Sequence, residues 1–378
     1  MTVFFAFADL TWPEVAGLAR ETPLLMPLGE GYELATLARG LGHPPAAGLL
    51  PALPYGWAGS GLATAPDHFA AYVGNLLGSL SEDGFTHALL LAPPGLSLPL
   101  PESLILRLQP ASPASPLALP PPAGRVLLIP IGHTEQHGYH LPLSTDTDII
   151  AAISRGVAAA APAFSLPAFP YGVSTHRRSF AGTLSAGGRA FEDFWLAVVE
   201  ALVGLGHDRF YLLSGHGGNC SFLTTVVKYA GERHPRIFCA TSWLYLSGPA
   251  GVAALEKYRR SASGGMGHAC ELETSLMLHL RPQAVHMERV VDEVDFVSTP
   301  SYYMDWVEGG ALIANPPWED DTATGAYGAG SLATAEHGRL WLEAAIAEKV
   351  GHVGEILAQG RRRGVRRERE ERSPACVG

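Results

Sequence analysis

Cysteine is scarce in this chain of 378 residues, and its four copies, Cys220, Cys239, Cys270 and Cys376, stand in no paired spacing. A disulfide scaffold is therefore not expected, and a reducing, cytoplasmic setting is. No apolar run reaches the roughly 18 residues that a membrane-spanning helix needs. Positive charge is not in excess: the formal net charge is −10, which argues against a general nucleic-acid binder. The N-terminus, Met1 to Asp9, lacks a basic segment and soon turns acidic, so it does not read as a signal peptide. What is present is a 47% apolar fraction with 43 glycines and 30 prolines. That suits a loop-rich α/β protein of one large or two modest domains.

One stretch organises the rest. Val126 to Pro130 is a short apolar run that reads as a buried parallel strand. Ile131 to Asp148 follows, with three histidines and three acids among bends at Gly138 and Pro142. A loop at the carboxyl end of a strand is where α/β proteins place ligands. Glu135 and His137 are two apart and point the same way in an extended segment. Asp146 can return to the same point after the bends. Two carboxylates and an imidazole, one carboxylate able to bridge, suit a site for two divalent metal ions.

The motif Glu135-Gln-His-Gly138, followed by His140-Leu-Pro-Leu143 and Thr145-Asp146, resembles the creatininase (creatinine amidohydrolase) family. Ser214 to Asn219 and His268 to Ser275 agree in order and spacing, and Tyr171 to Ser174 with Phe180 to Ser185 agrees more loosely. The resemblance covers about residues 124 to 350. It implies metal-dependent hydrolysis of an amide or cyclic amide C–N bond outside peptides, in a homo-oligomer with a small-molecule or short-peptide substrate. Relatives that mature a modified peptide precursor or remove a formyl group give the alternatives. A non-catalytic metal-binding partner protein is the rival from another class.

The residues fill these roles as follows. Glu135, His137, Asp146, His216 and Glu273 are the expected metal ligands. Asp146 would bridge, with Glu135 and His216 towards one ion and His137 and Glu273 towards the other. The ions are expected to be zinc, with manganese or iron as oxygen-tolerant alternatives. A metal-held water would attack the carbonyl carbon. The resemblance makes His268 the group that shuttles protons, and we assign Glu271 beside it to catalysis. Creatininase itself carries a glutamate where Gly218 stands here, so Glu273 is expected to supply the missing carboxylate. Ser174, Arg177, Gly217 and Trp243 are the expected substrate contacts. Arg177 or Arg178 would grip an anionic group, and the glycine permits close backbone approach. His133, Tyr139 and His140 read as supports rather than ligands.

Strands and helices alternate through residues 125–360, with Asp148 to Ala161 and Ser221 to Glu232 read as two of the helices, which predicts a three-layer, mainly parallel sheet with helices on both faces. The first 107 residues read as a worn copy of this unit. Leu24 to Gly29 matches Leu127 to Gly132, Pro51 to Gly56 matches Pro167 to Gly172, and Gly84 to Leu91 matches Gly206 to Leu213. The copy has no histidine after Gly29 and reads Pro93-Pro-Gly95 at the level of Gly215-His-Gly217. It would serve structure, or take the place of a neighbouring subunit. Residues 108–124, rich in Pro, Ala and Ser, read as a semi-rigid linker, and 361–378 as a charged, solvated tail.

Overall fold

The computed structural model describes residues 1–112, 116–122, 124–176, 178–306 and 309–372, with side chains to 367. Two parallel sheets form the frame. The first contains β1 (Val3–Ala6), β2 (Leu24–Pro27), β3 (Ala46–Leu49), β4 (Ala88–Ala92) and β5 (Ile105–Arg107), in the order β1-β3-β2-β4-β5. Between them lie α1 (Trp12–Ala16), α2 (Leu34–Gly40) and α3 (Pro66–Glu82). The second contains β6 (Val126–Ile131), β7 (Ala163–Ser165), β8 (Arg209–Ser214) and β9 (Phe238–Thr241), in the order β7-β6-β8-β9. It is interleaved with α4 (Thr145–Ala160), α5 (Gly188–Gly204) and α6 (Gly217–Arg233), and followed by α7 (Pro249–Tyr258). β10 (Met266–His268) and β11 (Tyr327–Gly328) pair antiparallel around α8 (Glu271–Leu280), and α9 (Ala335–Arg372) closes the chain. Among the described residues no helix is long and apolar enough to cross a membrane.

All of β6 is buried because both of its faces are covered. Leu127, Ile129 and Ile131 enter one core with Phe191, Phe194 and Leu202 of α5. Val126 and Leu128 enter the other with Ile150, Leu276 and Trp341 of α4, α8 and α9. Leu24, Met26 and Leu90 of the first sheet join the same core as Leu127 and Ile129. α3 and α5 therefore pack in a layer shared by both sheets. Each large side chain buried there stabilises the fold by roughly 1.5–3 kcal/mol before entropy is counted.

The segment from 108 to 124 is not a free tether. Ala111 donates its N–H to Gly31 and Leu117 donates to Ser60. α9 runs on for 38 residues through the arginine-rich stretch that composition marks as a tail. Residues 373–378, with Cys376, lie outside the described residues.

The sheet sets the level of the site. Ile131 and Ser214 are the last register partners of β6 and β8, so Gly132 and Gly215 leave neighbouring strands side by side. A Cβ on Gly215 would lie 2.3 Å from the Asp146 carbonyl, and one on Gly132 would lie 2.2 Å from Thr147 Oγ1. Both glycines admit the first turn of α4, which carries Asp146. Sequence reading began this helix at Asp148. It begins at Thr145, so Asp146 is fixed by helical backbone rather than by a loop. α6 likewise begins at Gly217 rather than Ser221, directly after His216.

Candidate metal centre

Six of the expected residues meet in one buried cluster: Glu135, His137, Asp146, His216, His268 and Glu273 are each at most 4% exposed. His216 Nδ1 lies 3.0 Å from Glu135 Oε1 and 3.3 Å from Asp146 Oδ2. His137 Nε2 lies 3.2 Å from Asp146 Oδ1 and 4.0 Å from Glu273 Oε1. Asp146 thus turns one oxygen to each histidine. His268 Nδ1 stands 3.8 Å from Glu135 Oε1 and 4.0 Å from Glu273 Oε2.

The opposite ring nitrogens fix the protons. His216 Nε2 is 2.9 Å from the Val173 carbonyl, His137 Nδ1 is 3.2 Å from the Glu135 carbonyl, and His268 Nε2 is 2.7 Å from the Gln136 carbonyl. A carbonyl only accepts, so each of these nitrogens carries hydrogen and donates. The other nitrogen of each ring then presents a lone pair to carboxylate oxygens. That arrangement is repulsive unless a proton or a cation sits between, and backbone-oriented imidazoles facing carboxylates are the usual dress of a metal site. Burial works against charge on His137, but Asp146, Glu273 and Glu135 outweigh it and raise its pKa to about 9. His216 also rises to about 9, as Glu135 and Asp146 override its burial. Asp146 is held below the ordinary carboxylate range by His137 and His216 although burial opposes this. Nitrogen and oxygen donors in this mixture fit a divalent ion such as zinc or manganese.

Other residues frame the cluster. His133 Nδ1 accepts the Gly172 N–H at 2.9 Å, so its hydrogen is on Nε2, 3.7 Å from Glu135 Oε2. In that state it supports Glu135 rather than ligating. His140 Nε2 pairs with Thr274 Oγ1 at 2.9 Å, and burial with His137 nearby lowers its pKa to about 4. Glu273 Oε2 accepts the Ala269 N–H at 2.6 Å, and Ala269 has the rare φ of 49°. This hairpin between β10 and α8 carries His268 and Glu273 to the same point despite their spacing of five. A Cβ on Gly218 would lie 2.4 Å from both His216 Nε2 and the Val173 carbonyl. No side chain fits there, and Glu273 stands at the cluster instead.

Glu271 is turned away. Its carboxylate accepts the N–H groups of Arg260 and Ser261 at 2.8–3.2 Å, so the structure gives it an anchoring position rather than one at the reacting centre. Glu271→Gln is expected to leave metal content unchanged and to destabilise the fold by about 1–3 kcal/mol, because a buried amide cannot satisfy all these donors. Thermal melting beside elemental analysis measures both. Ser174 is fully buried and its Oγ has no hydrogen-bond partner among the described residues. Trp243 is 54% exposed and approaches Gly217 at the edge of the cluster. Arg177 lies outside the described residues. Arg178 is spent on Glu82 and on the carbonyls of Ser79 and Thr183, so it is not the free anion grip that sequence reading entertained.

Two aromatic neighbours escaped sequence reading. Trp318 lies edge-on to His268 with ring centres 5.8 Å apart. Trp12 packs on Tyr139 and donates Nε1–H to the Thr324 carbonyl at 2.7 Å. Both belong to segments remote in sequence from the ligand loop, so no local spacing marks them. Tyr245 and Trp306 pack with each other.

Carboxylates and imidazoles gathered at the ends of adjacent parallel strands make this a metal-binding α/β protein. A model of the creatininase family, described as creatinine amidohydrolase, matches residues 119–353, and the chain belongs to that family of hydrolases. A mycofactocin precursor peptide peptidase of Mycobacterium tuberculosis is 31% identical over 62% of this chain and 86% of its own length. One from Mycobacterium ulcerans is 36% identical over 43% of this chain, which spans 62% of that protein. The creatinine amidohydrolase of Pseudomonas putida is 29% identical, over 58% of this chain and 85% of its own. The solved structure called Creatininase Mn shares the fold, with a TM-score of 0.53 at 24% identity over 62% of this chain and 92% of that one. A mutant creatininase of Zn-Zn type has a TM-score of 0.52 at 25% identity, over 61% and 90%. Relatives named as peptidases remove the ground for confining the reaction to non-peptide bonds.

Proposed function

We propose that the chain is a metal-dependent amidohydrolase that cleaves a C–N amide bond in a small molecule or short peptide. One observation carries this reading: three imidazoles, each tied by one N–H to a backbone carbonyl, aim their other nitrogen at three buried carboxylates. Glu135, Asp146 and His216 would hold one divalent ion, and His137, Asp146 and Glu273 a second. Such ions supply Lewis acidity and bring the pKa of water close to neutrality.

The remaining steps belong to the chain. His268 is oriented through the Gln136 carbonyl, so that its Nδ1 lone pair can take the proton given up by the attacking water and pass it to the leaving nitrogen, a general acid–base role. Ser174 Oγ offers a buried donor and acceptor to the substrate. Trp243 and Gly217 form one edge of the entrance.

His268→Gln tests the assignment. Metal content is expected to stay at the wild-type level while kcat falls by about 10²–10⁴. Loss of metal in this variant would place His268 among the ligands and end its proton-transfer role.

A peptide substrate is favoured over a cyclic amide on one ground. The relatives named mycofactocin precursor peptide peptidase are 31–36% identical, above the 29% of the creatinine amidohydrolase. Turnover of short peptides against creatinine, with the same zinc-loaded protein, separates the two.

A further inference from the structure

We infer that residues 1–107 are a second copy of the strand–helix core of the catalytic half, stripped of ligands and seated where a partner subunit would pair. The strand orders correspond, β3-β2-β4-β5 against β7-β6-β8-β9. So do the registers. Leu24 faces Gly48 and Ala88, and its match Leu127 faces Phe164 and Phe210. The isolated bridge Leu28–Leu53 recurs as Ile131–Phe169. α3 and α5 are both 17 residues long. Each is followed two residues beyond its end by a glycine of positive φ, Gly84 at 94° and Gly206 at 91°. The closing hydrogen bonds are also the same: Gly84 N–H to Ser81 and Phe85 N–H to Leu80, against Gly206 N–H to Val203 and His207 N–H to Leu202. Two unrelated α/β units have no reason to share register, helix length and helix ending together.

The contact between the copies has the form of a subunit interface. Tyr72 of α3 and its counterpart Phe194 of α5 touch each other, with ring centres 4.7 Å apart. On either side, Phe69 meets Phe194 at 6.2 Å and Tyr72 meets Phe191 at 6.3 Å. Phe69 and Phe191 are themselves counterparts, so the contacts are reciprocal. That is the signature of an isologous, two-fold interface, here within one chain.

The copy also completes the second half. Leu143 and Ser144, which lead into α4 and Asp146, donate their N–H groups to Leu10 and Ala8. Asp9 pairs with Arg281 at 2.8 Å and Glu14 with Arg289 at 3.1 Å.

Cutting the folded chain tests this without relying on the reaction. A specific protease site is inserted between Pro121 and Pro122, both exposed, and cut in the full-length protein. The cut protein is expected to elute from size exclusion as one particle of the uncut size. Separation of the cut wild-type halves in native buffer would overturn the inference. Tyr72→Lys places a charge at the centre of the interface and is expected to release the halves after cutting. Continued co-elution of that cut variant would equally overturn it.

Discussion

Asp146→Asn is expected to cost more metal and more activity than any other single substitution in this chain. Its two oxygens face different histidines, His137 at 3.2 Å and His216 at 3.3 Å, and among the described residues no other carboxylate lies between them in this way. The amide keeps the size but presents one neutral acceptor and one donor. The donor would then face a lone pair on one histidine, while the bridge between the two ligand groups loses its charge. Groups that merely orient ligands cost about 10–100-fold in affinity or activity when removed. A carboxylate that would bridge two ions should exceed that, so a fall on the order of 10³-fold in kcat/KM is expected. Elemental analysis of the dialysed variant should find far less metal than in wild type. Asp146→Asn with full metal content and near-normal turnover would refute the dinuclear arrangement.

The second large effect is on proton release. Without an ion, the nitrogens of His137 and His216 that face the carboxylates take up protons, with both pKa values raised to about 9. A metal ion needs those lone pairs, so binding must expel the protons. At pH 7 about two protons should leave for each site filled, which a pH indicator in weakly buffered solution can count. Apparent affinity should climb with pH and level off above about 9. Metal-free stability should run the other way. A histidine raised above its unfolded pKa of about 6.5 adds stability that is full below that value and lost as pH rises through about 9. The metal-free protein should therefore melt at a higher temperature at pH 6 than at pH 9.5. Metal binding without proton release would mean that the imidazoles are already neutral.

Much of this cluster was legible in the sequence because its carboxylates and imidazoles flank strand ends that announce themselves. Val126 to Pro130 and Phe210 to Leu213 are apolar runs with a glycine two residues on, and Glu135, His137 and His216 follow within a few residues, with Asp146 beyond the bends at Gly138 and Pro142. Glu273 needed the helix to start between it and His268, and α8 does start at Glu271. Glu271 misled because a carboxylate beside a catalytic-looking histidine has no local mark that it turns towards the N–H groups of Arg260 and Ser261. Helix starts were missed by a few residues at α4 and α6 for a related reason. Thr145 and Gly217 look like loop residues, and only their close packing, at Gly215 and at Gly218, shows why helix begins there. Trp12 and Trp318 reach the site through tertiary folding alone. The inferred repeat shows in the sequence only as a few short matches, because strand register and helix ending are properties of backbone geometry.

The core shared between the two sheets makes them one cooperative unit. Leu24, Met26 and Leu90 from one half and Leu127, Ile129 and Phe210 from the other are buried in the same cluster, so neither half can open fully while the other stays closed. Heat should unfold the chain in a single transition, with equal van't Hoff and calorimetric enthalpies. Zinc that binds only the folded state stabilises all of it. Globally exchanging amides in β2 and β4, strands that carry no ligand, should therefore gain protection on zinc addition by the same factor as those in β6 and β8. A half with no ion of its own would inherit the stability of its neighbour's.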